Sequence, residues 1–340
     1  MVIFLVKLYT CQFNSSKIKS LTDFLCDDWE KLNSKEEYEI MKKYATNARL
    51  ISFAYVLYLY VFSSAFVLLS LVPKLLNIVL PLNKSRPITM PYDVYYFVDE
   101  EKYYLYIIFH IFVCSVISLA TATAHDCIFF IYIEHVCSLF AVLGKKNNFF
   151  LRCFSHDSLR NRNCPLNVHR FHFESLSRKN RNDANNLSHN RKIAVSIHVH
   201  WRALRFAKIL EDIFCIAFAV QMLIVVVTLS ISLVQVALQF GDINEMFKYL
   251  TYIFGQILHT FCFSLQGQRL INHSIQLRDK IYNSSWYKIP VESQKLLLHV
   301  MRRSMEPCFL SAGKIYVFSL KSFTTVMQSS VSYFTVLASF

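Results

Sequence analysis

The sequence predicts an all-α membrane protein. It reads as a helical bundle of five complete transmembrane helices plus a partial N-terminal one, with the C-terminus outside. Three observations carry this. Apolar residues make up 54% of the chain and charged residues 17%, against roughly a quarter charged in ordinary globular proteins. Long uncharged runs recur at 50–73, 103–124, 213–240, 249–268 and 322–340, interrupted only by His110 in the second and His259 in the fourth. Lys and Arg collect in alternate loops between those runs. The 5 Gly and 7 Pro exclude collagenous, disordered and Gly-rich β architectures, and the 30 Phe and 19 Tyr suit a chain that lies in and at the edges of a bilayer.

About 20 apolar residues span a bilayer as a helix, and only helices or closed barrels satisfy their backbones there. The runs are too continuously apolar for alternating barrel strands. Spans are therefore expected at 50–73, 103–124, 213–240, 249–268 and 315–340. A sixth, partial helix at 1–13 would be roughly 18 Å long, short of the ~30 Å hydrocarbon core. It does not read as a signal peptide, because Lys7 breaks its apolar run and no small-x-small cleavage site follows. The polar segment 160–192 reads as flexible. The stretch 192–212 reads as a helix extending the third span, and 269–282 continues the fourth. Pro290 opens a further helix, and Pro307 and Gly313 break the chain before the last span. The segments 141–208 and 269–313 are thus cytoplasmic extensions.

Lys and Arg set the orientation. The regions 11–49, 141–208 and 269–303 hold 7, 14 and 7 of them, and the intervening loops 74–102 and 241–248 hold 4 and 1. Alternating spans put the three rich regions on one side, which the positive-inside rule makes cytoplasmic. The net charge of +13 is then a topology signal, and no nucleic-acid partner is expected.

The 10 cysteines show no C-x-x-C pair, which supports neither a disulfide framework nor a zinc module. His198 and His200 sit two residues apart, so a helix turns them to different faces, and no metal or cofactor is expected. His125-Asp126-Cys127 and Glu134-His135 come without a nucleophile elbow, Gly-rich loop or HExxH motif. They read as structural residues hydrogen-bonded to neighbours, and no catalytic role is expected. Asn83-Lys84-Ser85 is a glycosylation sequon in an expected outside loop.

In the last span, Thr325, Gln328, Ser332, Thr335 and Ser339 step by three and four residues and draw one polar stripe down a helix. Small polar side chains in such a stripe either glue helices together or line a water-filled pore. Both readings stand on periodicity alone.

The C-terminal segments Pro307–Lys314, Ser319–Phe323 and Ser332–Leu337 resemble the signature of insect odorant receptors. So do Asp28-Trp29 with Glu36–Met41 and Tyr44-Ala45, and Leu80-Pro81-Leu82 leading to Pro91-Tyr92 and Tyr96–Asp99, in a style like ant, bee and wasp receptors. The resemblance implies a single receptor/channel domain over 1–340, of the odorant receptor-type bundle. Its family has seven spans, and the first and most of the second find no counterpart in this sequence.

The resemblance further implies a tuned subunit that binds a small volatile odorant. It would assemble with a shared odorant receptor co-receptor into a heterotetrameric, ligand-gated, non-selective cation channel, in the lipid of the plasma membrane of sensory neurons. The last helix of each subunit would line the pore, with the hydrophobic constriction matching Val336 and Phe340 and with Ser339 where the co-receptor has Gln. A ligand site is expected in the outer half of the bundle near Tyr60, Phe62, Ser63, Phe66, Tyr106, Phe109 and His110. Residues late in the first span and early in the second reach the same depth there. Other readings are a gustatory-type chemoreceptor, a truncated non-functional receptor and, from another class, a small transporter. A transporter should show broken helices and inverted repeats, which this sequence lacks.

Overall fold

The computed structural model describes residues 2–32, 34–80, 90–91, 95–160, 171–239, 243–284, 286–288 and 290–337. Side chains are described for 3–32, 34–80, 90–91, 95–99, 102–145, 194–239, 246–284, 286–287 and 290–336. Ser339, Phe340 and the sequon at Asn83 lie outside the described residues. Among the described residues the chain folds into nine α-helices: α1 (Val2–Phe13), α2 (Ser15–Glu30), α3 (Lys35–Leu69), α4 (Val72–Val79), α5 (Glu100–Arg160), α6 (Phe171–Leu238), α7 (Ile243–Tyr282), α8 (Val291–Arg303) and α9 (Leu320–Leu337). A two-strand hairpin, β1 (Ser311–Ala312) and β2 (Tyr316–Val317), precedes α9.

The class is all-α. Three helical stretches, Lys35–Leu69, Lys102–Lys145 and Ala194–Leu238, are long and apolar enough to cross a membrane, and Ile3–Phe13 is a shorter apolar helix. Helices α7 and α9, where the sequence places the fourth and fifth spans, are not among these three. Polar side chains explain the difference for α7, whose expected span includes Gln256, His259, Thr260, Ser264 and Gln266.

Element boundaries have local causes. Ser34 caps α3 by accepting from the Glu36 backbone N–H at 3.3 Å, and Glu36 and Glu37 occupy the first turn, where carboxylates favour a helix N-terminus. The expected span 50–73 ends early, because α3 stops at Leu69 and α4 starts at Val72. A proline ring clashes with the carbonyl four residues back, and four residues before Pro73 is Leu69. The expected start of the last span at 315 is also revised. Residues 311–317 form the hairpin, and α9 begins at Leu320, where Ser319 Oγ accepts from the Ser322 N–H at 3.1 Å. Helix α6 starts at Phe171, well before the 192 expected from the sequence.

The core is aromatic and lies where α5, α6, α7 and the approach to α9 meet. Phe129 stacks on Phe263 with ring centroids 5.5 Å apart, meets Phe218 edge-on at 4.8 Å, and Phe218 meets Phe318 edge-on at 5.1 Å. Pairs of this geometry contribute ~0.5–1.5 kcal/mol each beyond area burial. A smaller cluster of Val67, Tyr104, Ile107, Ile108 and Ile111 joins the end of α3 to the start of α5.

The hairpin fastens the start of α9 to the bundle. Gly313 turns it with φ 62°, a left-handed conformation that glycine adopts without steric cost. The Gly313 N–H donates to the Cys215 carbonyl on α6 at 3.0 Å, and Ser311 Oγ donates to Glu211 Oε1 at 2.7 Å. On α7, Gly267 lies so close that a Cβ there would overlap the Phe318 carbonyl oxygen.

Ionisable side chains pair among α2, α5, α6 and α7. Arg202 Nε lies 2.7 Å from Asp28 Oδ1, His135 Nε2 lies 3.1 Å from Asp28 Oδ2, and Arg269 donates to Glu134 at 2.9 Å. Lys31 and Arg202 hold the Asp27 carboxyl below its usual range, Lys31 through the larger hydrogen bond. Helix α7 continues beyond the expected fourth span to half-buried His273, which meets Tyr44 ring-to-ring at 5.5 Å. Burial, with Arg269 and Lys280 nearby, pushes the His273 imidazole down to about 4.

Candidate functional site

A cavity of about 250 Å³ opens among α1, α3, α5, α6 and α7. Its walls are aromatic and aliphatic, with Tyr58, Phe62 and Phe66 from α3, Leu119 and Ala122 from α5 and Val225 from α6. Its floor is polar, with Lys7, Tyr55, Asp126 and His259 all reaching it. Successive turns of α3 deliver Tyr55, Tyr58, Leu59, Phe62, Ser63 and Phe66 to this one face, which is the i, i+3, i+4, i+7 spacing of a helix stripe.

The floor is one hydrogen-bonded network drawn from five helices. Lys7 Nζ on α1 donates to both carboxylate oxygens of Asp126 on α5, at 2.7 and 2.6 Å, and both side chains are almost wholly buried, at 3% and 1% exposure. The Tyr55 hydroxyl donates to Asp126 Oδ2 at 2.8 Å, and His125 Nδ1 lies 3.1 Å from Oδ1. Since the Tyr55 proton goes to Asp126, its oxygen accepts from His259 Nδ1 at 2.8 Å. That fixes the tautomer, so Nε2 of His259 accepts from the Gln221 amide at 2.7 Å. Asp126 thus accepts four hydrogen bonds, which fill the lone-pair directions of a carboxylate. The ion pair is net neutral, the form in which buried charges are tolerated.

Of the residues the sequence assigns to a ligand site, the structure brings Phe62, Ser63 and Phe66 together on the cavity wall. Tyr60 is half-buried on α3, one position off the lining stripe. Tyr106 and Phe109 are 75% and 68% exposed. His110 is also exposed, with its ring nitrogens near the Tyr96 hydroxyl at 3.0 Å and Cys114 Sγ at 3.5 Å. The cause is helical phase. Tyr104, Ile107, Ile108 and Ile111 occupy the buried face of α5, which leaves 106, 109 and 110 on the opposite arc. Depth alone does not choose a face. Sequence reasoning took Lys7 only as a break in an apolar run and His125-Asp126 as structural. The usable signal was a lysine and an aspartate each set within apolar helix, since such groups pair with one another inside a membrane.

His198 is exposed and His200 buried, on different faces of α6. Among the described residues no group of three or more His, Cys, Asp or Glu is placed to hold a metal.

Helix α9 is built differently. Thr325, Gln328, Ser332 and Thr335 are all exposed, and Val336 is 55% exposed. Phe323, half-buried, meets Phe261 edge-on at 5.6 Å, and Ser330 is buried. The polar stripe therefore faces away from the chain's own bundle. Its hydroxyls bond within their own helix: Thr325 donates to the Lys321 carbonyl at 3.1 Å, Ser332 to Gln328 at 3.0 Å and Thr335 to Ser332 at 2.8 Å.

A family model described as 7tm Odorant receptor matches residues 1–331. The odorant receptor coreceptor of the ant Ooceraea biroi is 28% identical over 142 residues, which is 41% of this chain and 29% of that protein. Odorant receptor Or2 of the mosquito Anopheles gambiae is 27% identical over 97 residues, 28% of this chain and 26% of that protein. The matched stretches thus span under a third of those relatives' own length. The solved structure of the olfactory receptor OR5 from Machilis hrabei in complex with eugenol superposes with a TM-score of 0.70 at 13% identity, covering 99% of this chain and 78% of that one. That likeness is one of fold.

Proposed function

The chain belongs to the insect odorant receptor family, and from that premise we propose that it is an odorant-sensing subunit of a ligand-gated cation channel. The family is multi-pass in the membrane and is not enzymatic. The observation that carries the reading is the cavity of about 250 Å³, with apolar walls and a few convergent polar groups, the usual make-up of a small-molecule site. A cavity of this size, many times the least that holds one water, suits a small volatile. The complex of OR5 with eugenol supports a compact oxygen-bearing aromatic or aliphatic ligand here. Phe62, Ser63 and Phe66 are the residues proposed to contact it. Tyr60 is proposed to act one layer behind, and Tyr106, Phe109 and His110 to face lipid or a neighbouring subunit.

The subunit is read as a tuned one, assembling with the odorant receptor co-receptor in a heterotetramer in the plasma membrane of sensory neurons. The stripe Thr325, Gln328, Ser332, Thr335 and Ser339 would line the shared pore, with Val336 and Phe340 as the apolar constriction that blocks ions by dewetting. The exposure of Thr325, Gln328, Ser332 and Thr335 away from the bundle supports this. The test is co-expression with a co-receptor in a recording system. Phe62→Ala, Ser63→Ala and Phe66→Ala should shift odorant potency while leaving currents evoked by a direct co-receptor agonist unchanged. Unchanged potency in all three would defeat the assignment of the cavity.

A further inference from the structure

We propose that the cavity floor is a hydrogen-bond donor site that selects uncharged, oxygen-bearing apolar ligands, with Lys7 Nζ donating to a ligand carbonyl, ether or hydroxyl oxygen. The inference rests on the reading of this cavity as the odorant site and names the ligand class it takes.

An ammonium carries three N–H groups. Lys7 bridges the two oxygens of Asp126 at 2.7 and 2.6 Å, which uses at most two. Lys7 is also a lining residue of the cavity. The other polar groups at the floor offer a ligand little. Asp126 already accepts from Lys7, Tyr55 and His125, so no lone pair remains for a ligand donor. The Tyr55 proton goes to Asp126, and both His259 nitrogens are engaged by Tyr55 and Gln221. Gln221 Oε1 and His125 Nε2 are buried without a partner, but neither residue lines the cavity, so among the floor residues that do, the valence left is a donor on a charged nitrogen.

Charge narrows the class. The Lys7–Asp126 pair cancels within itself. A ligand carboxylate would bring an uncompensated negative charge beside Asp126, and a ligand ammonium would meet a cation already in place and only neutral oxygens, such as those of Ser63 and Gln256, on the wall. Both are disfavoured in a desolvated site. A neutral acceptor oxygen adds one charge-assisted hydrogen bond and no net charge. The apolar remainder then lies against Tyr58, Phe62, Phe66 and Leu119.

The test compares four ligands of one shape, cyclohexanone, cyclohexane, cyclohexanecarboxylate and cyclohexylamine, by equilibrium dialysis against the full chain in nanodiscs. Cyclohexanone should bind about tenfold or more tighter than cyclohexane, as a hydrogen bond to a charged donor implies, and tighter than both charged analogues. Lys7→Met alone would strand Asp126, so the paired variant Lys7→Met/Asp126→Asn keeps the floor neutral, and there the gap between ketone and alkane should close. Equal affinity for ketone and alkane in the unmodified chain, or a gap that survives in the paired variant, would overturn the donor site while leaving the cavity a ligand site. Tightest binding of the carboxylate would overturn the neutral class. Binding of none of the four would remove the ligand-site reading together with the inference.

Discussion

The cavity floor and helix α9 are both rich in polar side chains, yet they satisfy them in opposite ways. At the floor, Lys7, Tyr55, Asp126, Gln221 and His259 come from five helices and bond to one another across the bundle. On α9, Thr325, Ser332 and Thr335 bond back to their own helix and face outward. The floor is therefore bonded within one chain, with Gln221 Oε1 and His125 Nε2 left over, whereas these three α9 hydroxyls bond within their own helix. On the proposed function, the difference makes ligand recognition a matter for a single subunit and the pore a matter for the assembly.

The sharpest way to break this comparison is to remove one charge at the floor. Lys7→Ala or Asp126→Ala should destabilise the fold by ~3–5 kcal/mol, because the remaining charge is buried without its partner. Thermal unfolding in detergent should show a large drop, and Lys7→Met/Asp126→Asn should recover most of it. Equal melting of Asp126→Ala and the parent chain would mean that the floor is not an integrated network.

A smaller effect is expected at the joint between the two regions. Gly267→Ala would force a methyl group onto the Phe318 carbonyl, an overpacking worth ~1–3 kcal/mol. In the co-expressed channel it should alter gating as well as melting, since Phe318 leads directly into α9. Wild-type behaviour in both readouts would show that the close approach carries no constraint.

The pH response sharpens the contrast further. The folded chain holds His273 neutral, pushed down to about 4, whereas an unfolded histidine titrates near ~6.5. Between those values the unfolded state binds a proton that the folded state refuses, so stability is complete above about pH 6.5 and falls as pH drops toward about 4. Melting curves at about pH 7 and about pH 5 should differ less for His273→Gln than for the parent. An unchanged difference would locate the acid sensitivity elsewhere.

The least effect on stability is expected on α9. Ser332→Ala and Thr335→Ala should shift stability by less than ~0.5 kcal/mol, as exposed substitutions do, while Val336→Ser in the co-expressed channel should raise basal cation leak. Melting losses as large as those at the floor, with no leak, would make the stripe a packing surface.

The helices themselves were legible, because long uncharged runs have few alternatives. The break after Leu69 was legible in principle from Pro73, but an uncharged run carries no punctuation of its own. The floor was hidden for another reason. Lys7 and Asp126 are 119 positions apart in the chain, and no local period links them. The face of α5 was equally hard to read, because Tyr106, Phe109 and Ile107 are all apolar enough to sit on either arc, and a helix that is hydrophobic all round gives a weak periodic signal. For α9 the stripe was plain, since Ser and Thr stand out against Val and Phe at helical spacing. What it faces lies outside the chain's own bundle, and helical spacing does not encode that.

The most direct test of a self-contained recognition site is ligand binding to the chain purified without any co-receptor, compared with a variant whose cavity is filled. Ala122→Phe places an aromatic ring into the cavity from the α5 wall. The account predicts saturable binding of cyclohexanone to the parent chain in nanodiscs, its loss in Ala122→Phe, and unchanged surface expression of that variant. Binding of equal strength in Ala122→Phe, or binding that arises only once a co-receptor is present, would contradict it.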